Sequence, residues 1–109
     1  MIKVTVLYPK VAGKTFDYDY YKNVHIPLAI RLLGPAIRSV TVECALEPGA
    51  PWPSPAFFVI AGFVCETVEA YTQALVPHMN RLQEDVANFT NVEAIIQVSD
   101  IVEIQISPQ

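Results

Sequence analysis

Apolar and polar positions alternate from the first residues: Ile2, Val4, Val6 and Tyr8 fall on one side, Lys3 and Thr5 on the other. A period of two predicts a strand, which Pro9 ends. Gly13 marks a turn, and Thr15 or Asp17 is placed to cap a helix whose N-terminal dipole Asp17 and Asp19 complement. Beyond it the period changes to four. Phe16, Tyr20, Val24, Leu28 and Leu32 form the stripe expected to pack on a sheet, with Asp17, Tyr21, His25 and Ala29 as a parallel row beside it. Pro27 cannot donate to the carbonyl of Asn23 and biases Ile26 away from helical backbone, which predicts a kink or restart. One helix is expected from about Asp17 to His25 and a second from Pro27 to Leu33, stopped by Gly34 and Pro35.

The rest of the chain repeats the scheme. β-Branched residues over 38–46 predict a second strand, and EPGAPWPSP, 47–55, is a loop, because four prolines and a glycine exclude regular structure. FFVIAGFV, 57–64, is a third strand, apolar on both faces. Thr67 caps a helix whose stripe is Val68, Tyr71, Leu75, Met79, Leu82 and Val86. Strand material runs over 92–106, with a bulge or break at Ser99 and Asp100 where the alternation changes phase. The order β-α-β-β-α-β predicts a ferredoxin-like α+β fold: a four-stranded antiparallel sheet with two helices on one face, as a single domain over 1–109.

Two helices leave the other sheet face bare. At about 4.8 Å between strands and about 17 Å of strand length, that face amounts to roughly 300 Å² or more of apolar surface. The economical cover is a second copy, giving a homodimer whose sheets face each other around a lumen; the alternative cover is the proline loop or the C-terminal tail.

Composition narrows the partners. The formal net charge is −4, and the seven Lys and Arg are scattered, which argues against nucleic acid. Hydrophobic residues make up 52% and charged ones 17%, without an uninterrupted membrane-length segment, so a soluble protein with no membrane association is expected. MIKVTVLY lacks the features of a secretory leader, and a cytoplasmic location follows as the expectation. Cys44 and Cys65 lie in apolar runs and read as buried free thiols.

The chemistry available is narrow. No GxGxxG, P-loop, GxSxG or HExxH pattern occurs, and there are two histidines, so no cofactor and no metal are expected. His25, in the last turn of the predicted first helix with Tyr21 one turn back, is suited to move a proton near neutral pH, or it caps carbonyls freed by Pro27. His78, after Pro77, reads as a surface or capping residue.

Two segments together resemble the EthD family, named for ethyl tert-butyl ether degradation. FDYDYYKNVHIPLA is similar to its F-x-x-Y-[WY]-x-x-x-H-x-P-L-x signature, and DVANFTN, 85–91, to its D-V-x-N-F-T signature. Tyr21, His25 and Pro27 match the first; Asp85, Asn88 and Phe89 match the second. The resemblance implies a dimeric α+β barrel and a small hydrophobic ligand in a degradative ether or aromatic pathway. It also implies association with a cytochrome monooxygenase system, from which the family takes its oxidoreductase label.

On this reading His25 is the general acid/base, Tyr21 orients it or stabilises an oxyanion, and Asp85 fixes its tautomer. Phe89, Asn88, Trp52 and Tyr8 are the candidate ligand-binding residues, Trp52 as a lid or rim aromatic or packed over the dimer seam. The alternatives are a non-catalytic carrier that serves a monooxygenase and, because related dimeric barrels use a helix-end histidine, a haem protein with His25 as ligand.

Overall fold

The computed structural model describes residues 1–107. Its strands are β1 (Ile2–Pro9), β2 (Ser39–Cys44), β3 (Phe57–Cys65) and β4 (Ile95–Asp100). They form one four-stranded sheet in the order β2-β3-β1-β4, with every neighbouring pair antiparallel. β1 lies at the centre because it pairs with both β3 and β4, the arrangement that two split β-α-β units produce.

Register sorts the side chains. Val4 stands opposite Phe63 and Val98, and Val6 opposite Ala61 and Ile96, so the even residues of β1 share a face with the odd residues of β3. This face carries the core: Ile2, Val4, Tyr8, Val59, Ala61, Phe63 and Cys65 are buried there. The register shifts between Tyr8 and Pro9, and beside this irregularity Phe58 is buried as well and stacks on Phe16 at 5.8 Å.

The open face is less apolar than FFVIAGFV suggests. Leu7, Ile60, Val64 and Ile95 share it with Lys3, Thr5, Thr41 and Gln97. Gly62 lies between them, and a Cβ there would come within 3.0 Å of the Lys3 side chain and 3.2 Å of the Thr41 hydroxyl. The glycine thus makes room for an aliphatic stem to cross the sheet.

The first helical run departs from its predicted form. α1 (Tyr18–Tyr20) passes into a π-helical turn (Tyr21–His25) and then α2 (Ile26–Leu33), without a break. Asp17 caps the start, its carboxylate accepting from the Tyr20 N–H at 3.0 Å. Pro27 therefore widens the helix instead of restarting it: Ile26 keeps helical backbone, and its N–H bonds to the Tyr21 carbonyl five residues back. A proline ring in a regular α-helix collides with the carbonyl four residues earlier, and a π turn relieves that collision. His25 is consequently in the middle of a helical run, not in a last turn.

The extra residue per turn also corrects the predicted stripe. Tyr21, His25, Ala29 and Leu33 are the buried row, joined by Ile26 and Leu28, while Val24 is 44% exposed.

The second run comprises α3 (Val68–Leu75), a 3-10 turn (Val76–His78) containing Pro77, and α4 (Met79–Val86). Thr67 caps it, accepting from the Ala70 N–H at 3.0 Å. Strand structure ends at Asp100, short of the predicted 106, and residues 101–107 continue without a ladder partner after the Ile101 N–H bonds to the Met1 carbonyl. Cys65 is buried as predicted, but Cys44 is exposed because β2 is an edge strand. No helix among the described residues is long and apolar enough to cross a membrane.

Candidate functional site

The two signature-like segments are clamped together by backbone and side-chain hydrogen bonds. Asp17 N–H donates to the Phe89 carbonyl at 2.7 Å, the Thr90 hydroxyl donates to the Thr15 carbonyl at 2.7 Å, and Thr15 N–H donates to the Asn91 side chain at 3.1 Å. Phe16 and Thr90 form an isolated bridge beside them. The start of the first helical run is thereby held against the end of the second, which brings His25 to Asp85 across 60 positions of sequence.

Asp85, in the last turn of α4, is 7% exposed, and a buried carboxylate needs donors. It has three. The His25 Nδ1 is 2.8 Å from one oxygen, and the Tyr20 hydroxyl and the Asn88 amide reach the other at 2.7 and 3.1 Å. Burial acts to raise the Asp85 carboxyl, but these donors and the imidazole outweigh it and hold the group below the usual carboxylate range. Asp85 is therefore ionised at neutral pH and accepts from Nδ1, which assigns the proton of the neutral ring to Nδ1 and leaves Nε2 as its acceptor.

Nε2 has no partner in the protein and is not a sealed polar atom, since no buried side-chain nitrogen or oxygen among the described residues lacks a hydrogen bond. His25 instead lines a cavity of about 440 Å³ between the sheet and the two helical runs. All six residues of the second predicted stripe line it, Val68, Tyr71, Leu75, Met79, Leu82 and Val86, facing Val4, Val6 and Phe63 of the sheet. On the β4 side the wall is thin: Ile96 and Val98 line the cavity yet are 65% and 50% exposed, so its mouth is apolar.

Aromatic packing fixes the imidazole. Tyr21 stacks on it at 5.5 Å with a 20° interplanar angle, and Phe89 lies at 4.6 Å. Tyr8 meets Tyr21 edge to face at 5.6 Å. Neither hydroxyl has a hydrogen-bond partner among the described residues, and neither is a sealed polar atom. Burial is the main reason that Tyr8 is pushed up to about 12 and Tyr21 well above the usual phenol range, so both remain neutral phenols.

The predicted site residues divide by position. Tyr8, Tyr21 and His25 line the cavity. Asp85, Asn88 and Phe89 lie behind the imidazole: the first bonds to it, the second to Asp85, and the third packs against it. Trp52 is 66% exposed in the loop and is not part of the cavity wall, and neither is His78.

Sequence reasoning overlooked Tyr20 and Thr90. Tyr20 read as a stripe residue although a buried Asp85 requires donors, and Thr90 read only as the end of a motif. Among the described residues no group of three or more His, Cys, Asp or Glu is placed to hold a metal. The cavity wall also has no lysine or arginine to pair with haem propionates.

The fold and the site define a class, the ferredoxin-like α+β proteins that carry a histidine on the helical wall of an apolar cavity. The sequence matches the EthD domain over residues 13–93, and the chain belongs to the EthD family. It is 35% identical to an EthD-like protein from Ralstonia eutropha JMP134, with a TM-score of 0.88 over 95% of this chain and 94% of that one. An ethyl tert-butyl ether degradation (EthD) family protein from Bacillus halodurans C-125 is 20% identical, with a TM-score of 0.70 over 94% and 99% of the two chains. The fold also extends to a dabb family protein from Mesorhizobium loti, 11% identical, with a TM-score of 0.57 over 94% and 97%. None of the curated proteins compared with the chain matches it.

Proposed function

We propose that this protein binds a small hydrophobic molecule in the cavity between sheet and helices and performs cofactor-free acid/base chemistry on it. His25 is the proton-transfer group, and Asp85 is the residue that positions it. The supporting observation is the 2.8 Å contact between His25 Nδ1 and Asp85, which commits one ring nitrogen to the protein and leaves the other to an apolar cavity. Tyr21 supports the ring by stacking. The family's association with ether degradation supports a reaction in the breakdown of an apolar ether or aromatic compound, alongside a monooxygenase. In this reading the protein is a cytoplasmic homodimer whose open sheet faces meet, burying Leu7, Ile60, Val64 and Ile95.

Native mass spectrometry of the purified protein reads subunit number and any retained molecule together. A dimer carrying an apolar compound is expected. His25→Gln should keep the dimer and the compound but slow its conversion by about 10²-fold or more. Unchanged conversion in that variant contradicts the proton-transfer role.

A second reading rests on the exposed Ile96 and Val98 at the mouth, which suit capture and release of apolar cargo. In this case the protein is a carrier for a monooxygenase. Affinity then follows the aliphatic wall, and no variant of His25 alters the bound compound.

A further inference from the structure

The reaction class of the site follows from what else faces the cavity. Apart from His25, the wall carries no lysine, arginine, aspartate or glutamate. A ligand with a permanent charge would lose its hydration there without compensation, so the cavity selects an uncharged molecule. No serine or cysteine lines it to act as a nucleophile, and the Thr72 hydroxyl donates to the Val68 carbonyl of its own helix. What remains is one base, phenol hydroxyls and the neutral amides of Asn80 and Gln83.

Tyr21 touches both partners of this arrangement, stacking on His25 at 5.5 Å and meeting Tyr8 at 5.6 Å. Tyr8 lines the cavity, and its hydroxyl has no hydrogen-bond partner among the described residues; it is not sealed, since no buried side-chain oxygen there lacks a partner. Base and donor thus line one cavity, each packed against the Tyr21 ring.

Resting on the function proposed above, we propose that the cavity takes an uncharged, largely apolar carbonyl compound, with His25 Nε2 removing a proton from the carbon beside the carbonyl and the Tyr8 hydroxyl donating to the carbonyl oxygen. The C–H bond breaks and an Nε2–H bond forms. The electron pair moves into the carbon–carbon bond as the carbonyl becomes an enolate oxygen, and the imidazolium remains paired with Asp85. Return of the proton to the same carbon regenerates the ketone, and return to a conjugated carbon gives an isomer. No oxidant or reductant is required.

The test uses 2-tetralone, a bicyclic ketone with exchangeable protons beside its carbonyl, and full-length protein in deuterated buffer. Proton NMR follows deuterium incorporation, and chemical-shift titration follows binding. Wild type is expected to bind the probe and exchange it faster than buffer. His25→Gln should reduce exchange to the buffer rate. Tyr8→Phe should slow it by about 10²-fold with binding kept, and Asp85→Asn should change the pH profile of exchange. Binding without accelerated exchange, or exchange indifferent to Tyr8→Phe, overturns this inference but leaves the apolar ligand site standing. Failure to bind any of the probe overturns both.

Discussion

A carboxylate taken out of water keeps its charge only if donors replace the solvent. Asp85 meets that condition through Tyr20, His25 and Asn88, and its carboxyl lies below the usual range although burial pushes the other way. Its folded value is below the unfolded one, so the ionised group contributes stability above roughly pH 4, and the contribution fades as the pH falls through the folded value. Thermal melts from pH 7 to pH 3 should therefore show wild type losing stability at the acid end. Asp85→Asn should melt lower at neutral pH and show a flatter acid limb. An Asp85→Asn variant as stable as wild type across the range would mean that the carboxylate contributes nothing. Tyr20→Phe removes one donor and should move the acid limb of wild type upward in pH.

The π turn is the device that aims His25. A regular helix over 18–33 would meet Pro27 with a steric clash, and the wider turn at Tyr21–His25 admits the ring while shifting the buried face to Tyr21, His25, Ala29 and Leu33. Pro27→Ala restores an N–H and removes the clash. The run is expected to tighten toward regular α geometry and rotate His25 away from Asp85, with loss of proton transfer of about 10²-fold, the scale of an ångström-level misplacement. Backbone amide shifts confined to 21–29, measured together with exchange of a ketone probe, check this. Unchanged shifts and rate would show that the proline does not set the turn.

At this scale the limits of the sequence are also physical. Element order, Thr67 as a cap, Asp17 as one of two candidate caps and the stripe from Val68 to Val86 were legible, because alternation, cap chemistry and three- and four-residue spacing are local signals. The stripe of the first helix was misplaced, because spacing analysis assumes 3.6 residues per turn and a π turn breaks that period. Tyr20 and Thr90 were illegible for a different reason. Their roles exist only after the ends of two helical runs are clamped, and no local pattern reports a contact across 65 or 75 positions.

The described residues form a sheet with helices on one side and a cavity under them, and the sheet leaves apolar side chains exposed in two places. One is the cavity mouth at Ile96 and Val98, and the other is the patch of Leu7, Ile60, Val64 and Ile95 on the open face. Dimerisation through the open face would leave the mouth at the side of each subunit, so ligand access and assembly need not compete.

The proposed chemistry depends on one local feature, that His25 offers Nε2 and not Nδ1 to whatever the cavity holds. Long-range proton–nitrogen NMR of protein labelled at histidine nitrogens, titrated with 2-tetralone at neutral pH, reads this directly. The neutral His25 ring is expected to carry its proton on Nδ1, with an unprotonated Nε2 whose resonance moves as the ketone is added. A proton on Nε2 in the free protein, or an Nε2 resonance that stays fixed while cavity methyl groups shift, would contradict it.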